Sequence, residues 1–228
     1  MIDLTEVKSG VIENLFTKSE LSDVVELMSK LDSGDDRIKT QQFKPRPIGI
    51  GHMLYPWFLK KVYNRIISNF KGHEDIEMIF ATYIDLHKPF GVHSDYFHKR
   101  EHEPCMAVLI PISVDYGEGD IEKPCTVVFN EQDTYFEPDN DPTEKKYDDE
   151  NWKKLHNDVK ENNATDIHQD HLSHVNKKDL EYLTVNNILN WKEGCAIWWD
   201  EKYLHSSCDF ESHNIKNKQF IVLHTYYK

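Results

Sequence analysis

The sequence predicts an α+β protein, with helices in the N-terminal third followed by a jelly roll or sandwich of short strands that one polar insertion interrupts. Three observations carry this. Apolar residues recur at helical spacing up to about residue 75, short apolar runs bounded by turn residues take over from Ile76, and residues 137–178 lose both rhythms. Short strands separated by turns suit an antiparallel sandwich or jelly roll better than alternating βαβ units.

Taken in order, Thr17-Lys18-Ser19-Glu20 has the form of a capping box, and Leu21, Val24, Val25, Leu27, Met28 and Leu31 follow at helical spacing. A second helix is expected from about Pro56 to Phe70, with Phe58, Val62, Ile66, Ile67 and Phe70 on one face. Between them, Gln42 to His52 holds two prolines and two glycines and reads as extended or looped chain. Strands are expected at Met78–Tyr83, Met106–Ile112, Cys125–Phe129, Cys195–Trp199 and Phe220–Tyr227. Glu137 to Lys178 is crowded with Asp, Glu, Lys, Asn and His and reads as an insertion, partly helical or mobile.

At 228 residues the chain is expected to be one domain, 1–228, with a helical part over 1–75 and a jelly-roll core over 76–228. A net charge of −13 disfavours nucleic acid as a partner, because a phosphate backbone would be repelled at long range. No apolar run is long enough to span a membrane and the first residues lack a signal-peptide pattern, so a cytoplasmic protein is expected. Cys105, Cys125, Cys195 and Cys208 show no CxxC spacing; reduced thiols acting as small buried hydrophobes are expected. Asn163-Ala164-Thr165 fits a glycosylation acceptor but lacks a secretory context.

The candidate chemistry lies in His93-Ser94-Asp95 and in His205, which follows Gly194-Cys195-Ala196-Ile197-Trp198-Trp199. In an extended segment His93 and Asp95 point to the same side, so one ion is held by both. Two imidazoles and one carboxylate form the facial triad of mononuclear non-haem Fe(II), which leaves three coordination positions open for a co-substrate and dioxygen. The separation of 112 residues (205 − 93) rules out a local finger-like site and suits a jelly roll whose early and late strands are neighbours. A second triplet, His168-Gln169-Asp170 with His171 and His174 nearby, lies in the polar insertion, where no strand pattern preorganises ligands. Trp191, Trp198 and Trp199 read as core or pocket wall rather than a base-stacking platform.

With the strand Phe80-Ala81-Thr82-Tyr83, the turn Pro89-Phe90-Gly91, the triplet, the isolated histidine and a basic final strand, the stretch from about Phe80 to Tyr227 resembles the 2-oxoglutarate and Fe(II)-dependent dioxygenases, in particular their prolyl-hydroxylase-like branch. The resemblance implies a double-stranded β-helix core. It also implies iron held by His93, Asp95 and His205, and a basic residue on the last strands that pairs with the distal carboxylate of 2-oxoglutarate. Lys216 and Lys218 are the candidates for that residue, and Lys218 is preferred because it leads directly into the apolar strand. Many such enzymes carry a hydroxyl residue two positions later, where this chain has Phe220. Tyr83 is the residue that the resemblance assigns to hydrogen-bonding the co-substrate. The implied reaction consumes dioxygen and 2-oxoglutarate, releases succinate and CO2, and hydroxylates a peptidyl side chain such as proline or a small metabolite. A non-catalytic jelly-roll binding protein and a cupin-type metalloenzyme that uses no 2-oxoglutarate share the same pattern of strands and stay open.

Overall fold

A computed structural model of the protein describes residues 1–29, 40–43, 49–54, 60–95, 103–116, 124–132, 162–192 and 194–228. The chain begins with β1 (Ser9–Ile12), α1 (Lys18–Ser29), β2 (Thr40–Phe43), β3 (Gly49–Leu54) and α2 (Lys60–Ile67). The long strands β4 (Ile76–Leu86), β5 (Pro104–Tyr116) and β6 (Cys125–Gln132) follow. Short helices at His168–His171 and Lys177–Leu180 then lead to β7 (Val185–Asn190), β8 (Ala196–Asp200), β9 (Tyr203–Ser207) and β10 (Ile215–Tyr227).

The strands form two antiparallel sheets, a larger one ordered β1-β8-β5-β10-β4-β3-β2 and a smaller one ordered β7-β6-β9. The smaller sheet gains a further bridge where His93 pairs with His205, the two residues exchanging N–H to carbonyl bonds of 2.9 and 2.8 Å. This architecture is the expected α+β jelly roll. Both faces of the larger sheet are covered, which explains why its strands read as continuous apolar runs rather than as clean alternation. One face of β10 presents Phe220 and Val222 to the space between the sheets, together with Leu109 of β5 and Ile197 of β8. The opposite face presents Ile221 and Leu223, together with Val108, Ile110 and Trp198, to the N-terminal elements.

That outer layer is where α2 docks. Ile66 and Ile67 are buried, and Phe70, just past the helix end, meets Trp198 edge-on at 5.1 Å between ring centres. Each such fully buried side chain contributes roughly 1.5–3 kcal/mol by leaving water. The capping box forms as expected: the Thr17 N–H donates to the Glu20 carboxylate at 2.8 Å, and the Glu20 N–H donates to the Thr17 hydroxyl at 3.3 Å. Val25, expected on the apolar face of that helix, is instead 39% exposed. Leu31 and the Pro56–Phe58 start of the second expected helix lie outside the described residues.

One further difference has a physical reason. The polar insertion is partly helical over its second half but not loosely attached: Ala164 and Leu172 are fully buried and, with Val175, join the cluster around Val127 and Phe129 of the smaller sheet. A few well-spaced apolar anchors fix this segment despite its polar composition, while residues 137–161 lie outside the described residues. The extended reading of Gln42–His52 holds in part, since β2 pairs with β3 and β3 with β4.

Gly194 supplies a stability test. Its φ of +79° lies in the left-handed region, and an added Cβ would sit 2.5 Å from the Phe16 carbonyl oxygen. Gly194→Ala is therefore expected to cost more than about 1 kcal/mol and to lower the thermal unfolding temperature. An unchanged unfolding midpoint would contradict this close packing.

Candidate metal centre

The site is built where two pieces of backbone converge between the sheets. β9 carries His205, the bridge beside it carries His93, and Asp95 follows two residues later, on the same side as His93. Their ligand atoms all lie within 4.8 Å of one another, and no other such group of His, Cys, Asp or Glu occurs among the described residues. His205 Nε2 is 3.5 Å from Asp95 Oδ2, and the two imidazole rings are 4.3 Å apart.

Backbone carbonyls set the tautomers. His93 Nδ1 lies 2.8 Å from the Gly91 oxygen, and His205 Nδ1 lies 3.3 Å from the Tyr203 oxygen. A carbonyl only accepts, so each Nδ1 carries the proton and each Nε2 keeps its lone pair for a ligand bond. Burial first, and then the neighbouring His93, push the His205 imidazole down to about 4 against the opposing pull of Asp95, so it stays neutral near pH 7. Burial acts to raise the Asp95 carboxyl, but the imidazoles of His205, His224 and His93 and the Trp199 N–H outweigh it and hold the group below the usual carboxylate range. A carboxylate beside two imidazoles that present Nε2 is the donor set that a divalent transition metal requires, so the residues present fit iron.

Trp199 was expected as pocket wall, and it has a further role: its indole N–H donates to Asp95 Oδ2 at 3.2 Å, and its ring lies 4.6 Å from that of His205. Trp199→Phe keeps an aromatic ring, smaller than the indole, and removes the donor. Metal affinity is expected to fall by roughly 10- to 100-fold, as for other groups that orient ligands, and Fe(II) titration of the variant measures it.

The triad opens into a cavity of about 140 Å³ whose wall includes Thr82, Ile84, Leu109, Phe220 and Val222. The same cavity is lined by Lys218, which is 0% exposed and whose Nζ has no hydrogen-bond partner among the described residues. The ammonium sits over two aromatic rings, 4.1 Å from the centre of Trp191 and 4.5 Å from that of Phe210. Burial pulls its pKa below the usual lysine value, with the Cys208 sulfur the first of the groups acting the other way. Lys216 is exposed, so of the two candidate lysines only Lys218 reaches the cavity.

Tyr83 requires correction. Strand alternation directs Thr82 and Ile84 into the cavity, while Tyr83 belongs to the outer cluster with Ile221 and Ile110, on the opposite face of β4. Tyr83 therefore does not line the cavity beside the triad. Hydroxyls reach the cavity from Thr82 of β4 and from the smaller sheet. Thr126 and Ser207 both line the cavity, and Thr126 Oγ1 accepts a hydrogen bond from Trp191 Nε1 at 3.1 Å, which leaves its own proton to donate. His224 also lines the cavity, with Nδ1 2.9 Å from the fully buried Glu201 carboxylate. These residues escaped the sequence reading because a lone Thr, Ser or His on an apolar strand gives no local signal. Only Lys218 and His224, which alternate with Phe220 and Val222, share a visible pattern.

The histidines of the second triplet do structural work. His168 Nε2 and His174 Nε2 each lie 3.0 Å from a backbone carbonyl, of Val175 and Phe90 respectively, and the Asp209 N–H donates to the His171 carbonyl.

No protein-family model matches the sequence, and no curated protein sequence matches it. Solved structures do match the fold. The non-haem α-ketoglutarate-dependent carbocyclase SnoK from nogalamycin biosynthesis superposes with a TM-score of 0.58 at 9% identity, over 98% of this chain and 81% of that one. The epimerase SnoN, in complex with Fe3+, α-ketoglutarate and nogalamycin RO, gives 0.55 at 8% identity over 98% and 80%. A Pseudomonas putida prolyl-4-hydroxylase gives 0.51 at 7% identity over 99% and 95%. At these identities what is shared is the architecture: the chain has the jelly-roll fold of the non-haem α-ketoglutarate-dependent oxygenases.

Proposed function

We propose that this protein is an Fe(II)- and 2-oxoglutarate-dependent dioxygenase that hydroxylates a peptidyl side chain such as proline or a small metabolite, releasing succinate and CO2. The observation that carries this reading is Lys218. A buried ammonium without a hydrogen-bonding partner is costly, and burial already pulls its proton affinity down. An arriving carboxylate would restore the charged form and satisfy its donors, and the same cavity holds His93, Asp95 and His205. A dicarboxylate with one end at the metal and the other at Lys218 fits this polarity. SnoN, which shares the fold, carries Fe3+ and α-ketoglutarate.

In this reading iron and 2-oxoglutarate together supply the oxidising chemistry, and the chain supplies position and dryness. His93 and His205 present Nε2, and Trp199 holds the Asp95 carboxylate in place. Lys218 pairs with the distal carboxylate of the co-substrate. Thr126, its oxygen engaged by Trp191, donates its hydroxyl proton to the same group. The ring faces of Trp191 and Phe210 keep Nζ aimed without consuming its N–H donors. Ile84, Leu109 and Phe220 exclude water from the space between the two ends. A volume of about 140 Å³ suits the co-substrate and leaves little room for a bulky second molecule, so the primary substrate approaches from the mouth.

The test is an anaerobic titration of the full chain with Fe(II) and 2-oxoglutarate, followed by admission of dioxygen and a substrate screen for succinate. Saturable binding of 2-oxoglutarate that requires the metal, with succinate formed on oxygenation, is expected. Metal binding without any affinity for 2-oxoglutarate would favour a cupin-type metalloenzyme, and binding of neither would favour a non-catalytic jelly roll.

A further inference from the structure

Beside the cationic end of the cavity lies a pair of cysteines that the proposed chemistry does not use. Cys125 at the start of β6 and Cys208 just after β9 continue the ladder in which Thr126 pairs with Ser207. The Cys208 N–H donates to the Cys125 carbonyl at 3.0 Å, and the Cys125 N–H donates to the Cys208 sulfur at 3.1 Å. Directly opposed residues of an antiparallel pair have Cα atoms about 4.5–5.5 Å apart, inside the range of about 4.4–6.8 Å that a disulfide spans. Both side chains are buried, at 0% and 2% exposure.

We infer that Cys125 and Cys208 form a redox-modification site, in which Cys208 is the attacking thiolate and Cys125 the resolving thiol of a reversible cross-strand disulfide. Several groups around the pair fit these roles. The Cys208 thiol is pushed down to about 5, first by the hydrogen bond from the Cys125 thiol and then, against burial, by Lys218 and the Cys125 N–H. Thiolate character selects the sulfur that oxidises. Cys105, also buried, is pushed the other way, up to about 11, chiefly by burial, and Cys195 is raised for the same leading reason. The four cysteines are therefore not equivalent. His171, whose Nδ1 lies 3.8 Å from Cys125 Sγ, belongs to a helix of only four residues, and peroxide reaches the buried pair through local opening, which costs less than unfolding the whole chain.

With hydrogen peroxide as oxidant the chemistry balances. The Cys208 thiolate attacks one peroxide oxygen, forming an S–O bond as the O–O bond breaks; the departing hydroxide takes up a proton as water. The Cys125 sulfur then attacks the sulfenic sulfur, forming the S–S bond and releasing the hydroxyl group as a second water with the proton of the Cys125 thiol. Two thiols have lost two electrons and peroxide has gained them. The disulfide would replace a thiolate near Lys218 with a neutral group, and its neighbours Thr126 and Ser207 line the cavity, so the redox state would be felt at the anion-accepting end. The inference stands on the thiols alone and does not depend on the identity of any bound co-substrate.

The experiment treats the folded full chain with hydrogen peroxide, in the presence of free glutathione as an internal reference, and reads thiol content and peptide masses. The expected result is loss of two of the four thiols, a single cross-linked peptide pair containing Cys125 and Cys208, and full recovery with dithiothreitol. Cys125→Ser should stop the reaction at a sulfenic acid on Cys208 that dimedone traps. Cys208→Ser should leave Cys125 a thiol. Lys218→Met should slow the oxidation several-fold by raising the Cys208 thiol, a readout that mere proximity of two cysteines would not move. Survival of all four thiols after the glutathione is fully oxidised would overturn the inference, as would a cross-link through Cys105 or Cys195 or a dimedone adduct on Cys125 in the Cys208→Ser variant.

Discussion

Replacing His93, Asp95 or His205 with Ala is expected to abolish 2-oxoglutarate turnover and to remove stoichiometric iron from the purified protein. Three protein ligands are the minimum that holds the metal while leaving adjacent positions open, so losing one sacrifices both affinity and the order of those positions. The three should fail for slightly different reasons. His205 is 4% exposed and packs against Trp199, so its removal also opens space in the core, and thermal unfolding must accompany the iron assay. Asp95 is the only formal negative charge of the set, and Asp95→Asn, which keeps the shape, separates loss of charge from loss of packing. His93 is partly exposed and is the cleanest deletion. His168→Ala and Asp170→Ala should leave iron and turnover largely intact, because those side chains lie outside the cluster. Iron retained in His93→Ala but lost in the His168 variant would refute the assignment of the site.

How much of this arrangement was legible follows from what each segment is used for. β4, β5 and β10 are buried on both faces, and their long apolar runs made them readable. β9, with the sequence Tyr203-Leu204-His205-Ser206-Ser207, was not readable as a strand, because its inward positions hold polar residues for the cavity. β7 alternates Val185, Asn187 and Leu189 with Asn186, Ile188 and Asn190 at the edge of a sheet, where asparagines hide the strand signal. The His93, Asp95 and His205 cluster was legible because two of its residues are close in sequence and the third stands alone after a tryptophan-rich run. Tyr83 was misplaced by one position of register: on a strand covered on both sides, composition does not say which face looks inward, and a one-residue shift sends every side chain to the other face. Thr126 and Trp191 depend on strands 65 residues apart meeting across a ladder, a fact of topology with no local trace.

The pairing of β10 with β4 and β5 also fixes what removal of Lys218 should do. Lys218 sits opposite Leu86 on one side and Val114 on the other, with Nζ held over the Trp191 and Phe210 rings in the wall of the cavity. If that ammonium receives the distal carboxylate of 2-oxoglutarate, Lys218→Ala removes one partner of a desolvated ion pair, at a cost of about 2–5 kcal/mol, or roughly 30-fold and upward in affinity. Iron binding should survive, since the lysine is not one of the clustered ligand residues. Lys218→Met, which retains length and packing, should show the same loss of 2-oxoglutarate affinity with a smaller change in unfolding temperature, because burying a methionine carries none of the desolvation cost of an ammonium. Lys218→Arg should recover part of the binding, limited by the larger guanidinium that must fit between two rings. Lys216→Ala should change nothing, as that side chain faces solvent. Measured by metal-dependent 2-oxoglutarate titration, an unaltered affinity in both Lys218→Ala and Lys218→Met would leave the buried ammonium without its proposed anion and would turn the reading toward a metalloenzyme that does not use this co-substrate.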